Sequence, residues 1–96
     1  MIKRIVKMSF HPEKTDEFKS IFETYRKLIA GFEGCLHVEL LQDRQHPHVF
    51  FTYSIWEHEN FLELYRDSDL FANVWSKTKI LFNDKPQAWT LNELVF

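Results

Sequence analysis

The chain has 96 residues and a formal net charge of −2, and 17% of its residues are aromatic, enough to fill a core or to line an apolar cavity. This length fits one domain, residues 1–96, that buries roughly 60% or more of the surface its unfolded chain exposes. The chain lacks the basic run expected of a nucleic-acid binder, and no apolar run approaches the ~18 residues that a membrane helix needs.

Cysteine occurs once, at Cys35, so the chain cannot form an internal disulfide. The N-terminal residues alternate Lys and Arg with apolar side chains and lack the uninterrupted hydrophobic region of a signal peptide. We therefore expect a cytoplasmic protein, located in a reducing compartment.

The first third of the chain predicts a strand followed by a helix. Residues 2–10 alternate apolar and charged side chains, as a half-buried strand does. Pro12 ends this pattern, and apolar residues then recur at helical spacing from Phe18 to Ile29. Gly31 is well placed to end the helix.

A hairpin is predicted next. Residues 35–41 alternate, with one set of side chains formed by Leu36, Val38 and Leu40 and the opposite set by Cys35, His37 and Glu39. Residues 49–56 are rich in β-branched and aromatic side chains, which favours a third strand. The polar segment around Pro47 supplies the turn between the two strands.

The last third of the chain reads as helical from Glu57, with a break at Ser68 that indicates two short helices or one bent helix. Phe61, Leu64 and Tyr65 share one helical face. We expect Phe61, Leu64 and Phe71 to pack on the sheet, and Tyr65 to present its hydroxyl near the mouth of a pocket. Residues 88–96 alternate again as a final strand.

The resulting order, β-α-β-β-α-β, is that of a ferredoxin-like α+β fold with a four-stranded antiparallel sheet and its helices on one side. The other face of the sheet would carry a mixture of apolar and polar side chains without a covering layer. Such a face suits contact with a second copy of the chain, so we expect a homodimer.

Aromatic residues with a polar group are the first candidates for a pocket. Tyr65 and Trp75 lie on the apolar stripes of their helices, where core packing is the commoner role, but the Tyr65 hydroxyl needs a partner if it is buried. Tyr53 and Trp56 have opposite parity in their strand, so they cannot both face the helices if the strand is regular.

Polar candidates are few. His37 is the histidine that lies within a predicted strand, and imidazole is the commonest general base, but its parity also fits a histidine at a dimer seam. His46 and His48 flank a proline in a turn and lack a third ligand, so we predict no metal site. Arg4 interrupts the apolar parity of the first strand and either pairs with an acid or reaches an anionic substrate.

Four segments, IVKMSFHPEKTDEF, FEGCLHVELLQD, FFTYSIWEHENFLELYRDSDLF and KPQAWTLNEL, resemble successive blocks of the antibiotic biosynthesis monooxygenase family. The resemblance implies a dimeric α+β barrel. In members that catalyse, it implies oxygenation of phenolic or quinol-type aromatics without a metal or flavin.

On this basis we predict a cofactor-independent monooxygenase that acts on a small aromatic, phenolic or quinol-type molecule. The predicted catalytic residues are His37 and Tyr65, and the predicted substrate-binding residues are Tyr53, Trp56, Phe71 and Trp75. The alternative is a non-catalytic dimeric ligand-binding or stress-associated module of the same fold. A cavity between helices and sheet with polar groups exposed to it favours the enzyme, whereas a filled interior favours the module.

A haem-degrading branch of the same family uses an Asn in the first strand, a Trp in the second helix and, ten residues later, a His that ligates the iron. This sequence has no Asn in the first strand, Tyr65 as the helical aromatic and Trp75 at the position of the ligand. We therefore expect neither haem nor a metal as cofactor.

Overall fold

The computed structural model describes all of residues 1–96 and contains four strands and three α-helices. The elements in chain order are β1 (Ile2–Ser9), α1 (Thr15–Ala30), β2 (Cys35–Gln42), β3 (Val49–Trp56), α2 (Glu59–Arg66), α3 (Asp69–Lys79) and β4 (Gln87–Asn92). The predicted α+β order is confirmed, and the second helical region is divided in two. None of the helices has the length and apolar character needed to cross a bilayer.

The strands form one antiparallel sheet in the order β2-β3-β1-β4. Ile2 at the start of β1 lies between Trp56 on β3 and Asn92 on β4. The final strand is shorter than the predicted 88–96, because it ends at Asn92 and residues 93–96 lie outside any strand.

The main core lies between one face of the sheet and α1. Its buried members are Met8, Phe10, Phe18, Phe50 and Leu81. The Phe10 and Phe18 rings stack with centroids 4.2 Å apart, which fixes the start of α1 against the end of β1. Burying a side chain of this size contributes roughly 1.5–3 kcal/mol.

Local signals explain how the second helical region divides. The Ser68 hydroxyl oxygen accepts a hydrogen bond from the Phe71 backbone N–H at 3.1 Å and so caps α3. Within α2, Leu62 is buried, whereas Leu64 is 57% exposed. The prediction that Leu64 packs on the sheet was therefore wrong, since the buried face of this short helix runs through Leu62.

A β-bulge lies near the start of β2, between Cys35 and His37. Cys35 pairs with Trp56, and His37 pairs with the next residue of β3, Ile55, so the two β2 side chains lie on opposite faces of the sheet. The predicted alternation placed them on one face. It was wrong because the bulge inserts one extra residue, Leu36, which is 48% exposed.

Candidate functional site

A cavity of about 340 Å³ lies between the sheet and the helices, and 14 of its 21 lining residues are hydrophobic. In the two central strands the lining residues have even numbers, among them Arg4 and Val6 on β1 and Thr52 and Ser54 on β3. This spacing reflects the two-residue period of a strand, which directs one side chain in two toward the helices. The interior is therefore not filled, and its volume falls in the range of small-molecule sites.

Tyr65 presents the most constrained polar group of this cavity. Its ring stacks on Trp56 at a centroid distance of 5.2 Å and meets the edges or faces of Phe32 and Phe71 at 5.4 and 5.3 Å. The structure gives the Tyr65 hydroxyl no hydrogen-bond partner, although every fully buried side-chain N or O atom has one, so the hydroxyl keeps some exposure on a residue that lines the cavity. Burial, with a smaller contribution from the Cys35 thiol, raises the pKa of Tyr65 to about 12.

The two tryptophans of the cavity differ in how their polar groups are used. Trp56 is 1% exposed, and its indole N–H donates a hydrogen bond to the Ser54 hydroxyl at 3.0 Å. Trp75 is only partly buried, stacks on Phe71 with centroids 5.8 Å apart, and has no partner for its indole N–H. The N–H of Trp56 is therefore used within the protein, whereas the N–H of Trp75, which also lines the cavity, is free to bind another group.

His37 and Tyr53 lie on the opposite face of the sheet. Their ring centroids are 6.2 Å apart, the His37 Nε2 is 3.4 Å from Glu39 Oε1, and the Lys3 ammonium lies 6.0 Å from the Tyr53 ring. Neither residue lines the cavity. The structure thus brings Trp56, Tyr65, Phe71 and Trp75 together and leaves His37 and Tyr53 apart from them, so the roles predicted for those two residues stay predictions.

Two arginines line the cavity beside these aromatic residues. Arg4 was noticeable in the sequence because it breaks the apolar parity of β1, and its Nη1 donates a hydrogen bond to the Thr90 hydroxyl at 2.7 Å. Arg66 was missed. It follows Tyr65 at the exposed end of α2, and only the packing of α2 against the sheet places it near Arg4.

The ionisable lining residues do not include a histidine or a carboxylate. The cavity therefore lacks the imidazole ligand that the haem-degrading branch requires. The whole chain also contains no group of three His, Cys, Asp or Glu side chains arranged to hold a metal ion.

The sequence model of the family described as "Antibiotic biosynthesis monooxygenase" matches residues 1–75, which include the four cavity aromatics and both arginines. The chain belongs to this family. Among curated proteins, none matches the sequence.

Solved structures of similar fold agree with this placement in the antibiotic biosynthesis monooxygenase family. A conserved protein from Methanosarcina mazei Go1 superposes with a TM-score of 0.92 at 19% identity, covering 97% of this chain and 92% of that one. A structure named as an antibiotic biosynthesis monooxygenase gives 0.92 at 16% identity, with coverages of 99% and 100%. Rv0793 from Mycobacterium tuberculosis gives 0.90 at 13% identity, with coverages of 99% and 96%. At these identities the likeness establishes the fold.

Proposed function

We propose that the protein is a cofactor-independent monooxygenase that acts on a small aromatic molecule of the phenol or quinol type. The observation that carries this proposal is the apolar cavity of about 340 Å³, whose lining includes Tyr65 and Trp75, two residues whose hydroxyl and indole N–H have no hydrogen-bond partner within the protein. A module with a filled interior would have neither the space nor the free donors.

The chemistry that such a cavity serves needs no external reductant. An anthrone, which is the keto tautomer of a phenol, has an acidic CH₂ group that loses one proton, and the resulting carbanion transfers an electron to O₂. The carbon radical and superoxide then combine to a peroxide, which loses water and leaves a carbonyl group. The balance is R₂CH₂ + O₂ → R₂CO + H₂O, so the substrate itself supplies the electrons.

The protein's part in this reaction is to bind, orient and stabilise. Phe71 and Trp75 enclose the flat ring of the substrate, and Trp56 supports the Tyr65 ring from behind. The Tyr65 hydroxyl donates a hydrogen bond to the oxygen on which the negative charge of the substrate anion accumulates. Exclusion of water by the apolar walls strengthens that hydrogen bond.

We also propose that the protein acts as a homodimer joined through the sheet face opposite the cavity. The odd-numbered side chains of the sheet give this face an apolar centre formed by Ile5, Leu41, Phe51, Tyr53, Ile55, Trp89 and Leu91. Within one chain Leu41, Trp89 and Leu91 are all more than 40% exposed. The dimeric barrel implied by the family resemblance buries a face of this kind, and His37 and Tyr53 would then lie at the seam.

Oxygen uptake tests the catalytic proposal. With anthrones and quinols as substrates, we expect one O₂ consumed per molecule of anthrone oxidised, no hydrogen peroxide, and one atom of isotopically labelled O₂ in the product. Aromatic binding measured by calorimetry without any oxygen uptake would overturn the monooxygenase and leave the non-catalytic ligand-binding module.

A further inference from the structure

The charge of the cavity lining is entirely positive. Arg4 reaches the cavity from β1, and Arg66 reaches it from the end of α2. The other polar lining groups are neutral hydroxyl, indole and amide groups, from Thr52, Ser54, Trp56, Tyr65, Trp75, Thr78 and Gln87. Because the pKa of Tyr65 is raised to about 12, its phenol is also a neutral donor at physiological pH.

Neither arginine is neutralised within the protein. The ion pairs of the chain are Lys3–Glu93, Lys14–Glu17 and His37–Glu39, and none of them involves Arg4 or Arg66. A guanidinium has five N–H donors, and the hydrogen bond to Thr90 uses one N–H of Arg4.

Carboxylates next to Arg66 do not change this account. Glu63 and Asp67 line a shallow depression together with Arg66, outside the main cavity. Neither carboxylate forms an ion pair with Arg66. Arg66 therefore lines both the shallow acidic depression and the apolar cavity.

The two positive charges also act on each other. The pKa of Arg4 is lowered by its partial burial and, to a smaller extent, by the charge of Arg66. An anion placed between two like charges removes their repulsion and restores the interactions that Arg4 loses on leaving water. An anion bound beside both arginines is therefore electrostatically favoured.

We propose that the cavity selects aromatic anions, in which a planar ring carries a carboxylate or an ionised hydroxyl group. Arg4 and Arg66 hold the charged group, and the ring lies against Phe71 and Trp75. This proposal names the substrate class of the monooxygenase proposed above and rests on that proposal for its link to catalysis. Because no carboxylate or imidazole lines the cavity, the arginines also take the place of a general base, since they favour the ionised form of a weakly acidic substrate.

Calorimetric binding of a matched pair of probes tests the selection. We expect 1-naphthoate to bind at least about tenfold more tightly than the neutral 1-naphthamide, which has the same ring and nearly the same shape. Arg4→Gln and Arg66→Gln should each reduce that preference severalfold, Arg4→Lys should keep part of it, and Arg44→Gln, at an exposed arginine in the β2–β3 loop, should leave it unchanged.

A second probe addresses the ionised hydroxyl. The colour of 4-nitrophenol reports its ionisation, and binding beside the arginines should lower its apparent pKa by about one unit. If naphthoate alone shows a preference for the anion, the charged group is a carboxylate. If nitrophenol alone shows it, the charged group is an ionised hydroxyl.

Equal binding of the charged and neutral probes, absence of binding by both anions, or an unchanged preference in both glutamine variants would overturn the proposal. Thermal denaturation of each variant distinguishes lost binding from lost folding, and Arg66→Gln, at an exposed position, keeps the test valid if Arg4→Gln does not fold. Anion-selective binding without oxygen uptake would instead overturn only the proposed monooxygenase.

Discussion

The rings of Trp56 and Tyr65 stack at a centroid distance of 5.2 Å and an interplanar angle of 29°. Trp56 is fully buried with its N–H bonded to Ser54, so it is a fixed surface on which the tyrosine ring rests. Phe32 and Phe71 hold the same ring from two further sides. These contacts restrict rotation of the ring and so fix the position of its hydroxyl, which has no partner within the protein. Such a group is well suited to bind a ligand.

The substitution Tyr65→Phe removes the hydroxyl and keeps the ring, so it measures the role of the hydroxyl alone. The ring contacts remain, and the hydroxyl has no hydrogen bond to lose within the protein, so we expect the melting temperature to change by no more than a few degrees. Loss of a hydrogen bond to a charged substrate atom should lower kcat/KM by roughly 10- to 100-fold. Oxygen-uptake kinetics and a thermal melt measure the two effects.

Tyr25→Phe is the matched control for that variant. The Tyr25 hydroxyl accepts a hydrogen bond from the Lys77 ammonium at 2.6 Å and does not line the cavity. This variant should keep full activity. Undiminished turnover by Tyr65→Phe would remove Tyr65 from the site, and failure of that variant to fold would show that its hydroxyl is structural.

The raised pKa of Tyr65 also predicts how stability depends on alkaline pH. An unfolded tyrosine ionises near pH 10, whereas the folded Tyr65 retains its proton until about 12. The unfolded state therefore binds fewer protons between these values, and the free energy of unfolding falls as pH rises from about 10 to 12, by up to roughly 2–3 kcal/mol. Urea denaturation across this range should show a smaller decline for Tyr65→Phe, and equal declines in both proteins would contradict the assignment.

Gly34 offers a test of how the loop before β2 supports the site. Its φ is +84°, and a Cβ at this position would collide with the Phe61 side chain. We expect Gly34→Ala to cost more than about 2 kcal/mol, from the left-handed backbone and the collision together. Gly31→Ala is the control, because Gly31 has a φ of −86° and its added Cβ would make a tight contact with the Lys27 carbonyl oxygen at 3.2 Å but would not collide with it. Similar costs for the two variants, measured by urea denaturation, would argue against this account.

The proposed dimer face can be tested at its centre. Ile5 lies between Tyr53 and Trp89 on that face, so Ile5→Glu would bury a charge at the proposed interface and should give a monomer in analytical ultracentrifugation. Leu64→Glu, on the exposed side of α2, should sediment at twice the chain mass, as the unmodified protein should. A folded monomer for the unmodified protein at micromolar concentration would refute the dimer.

Haem titration tests the expectation that the protein does not bind haem, which was drawn from Trp75 at the position of the iron ligand. Since no histidine lines the cavity, added haem should not give the saturable Soret spectrum of a histidine-ligated species. A sharp 1:1 transition would mean that a histidine from elsewhere, such as His37 of a second chain, reaches the iron, and His37→Ala would then abolish it.

The periodicity of apolar residues was sufficient to predict the order of strands and helices, because the apolar residues on the buried side of each element recur at the spacing of a strand or a helix. It failed at Cys35, since a bulge is a property of two paired strands and one strand's alternation does not reveal it. Trp56 and Tyr53 could be assigned to faces only once the register with β1 was known. The sequence did not identify Arg66 as a cavity residue for a related reason. An exposed arginine at a helix end has no distinguishing pattern, and only tertiary packing brings it beside Arg4.

The pairing of β1 with β4 joins the two ends of the chain, from Ile2 to Asn92. Such a contact has the largest loop-closure entropy in the fold, so we expect β4 to join the sheet after the β2–β3 hairpin and α1 have formed. Pro86, Gln87 and Ala88 on and before this strand line one side of the cavity. We therefore expect the binding site to be the last region completed during folding, since one side of the cavity forms only when β4 joins the sheet.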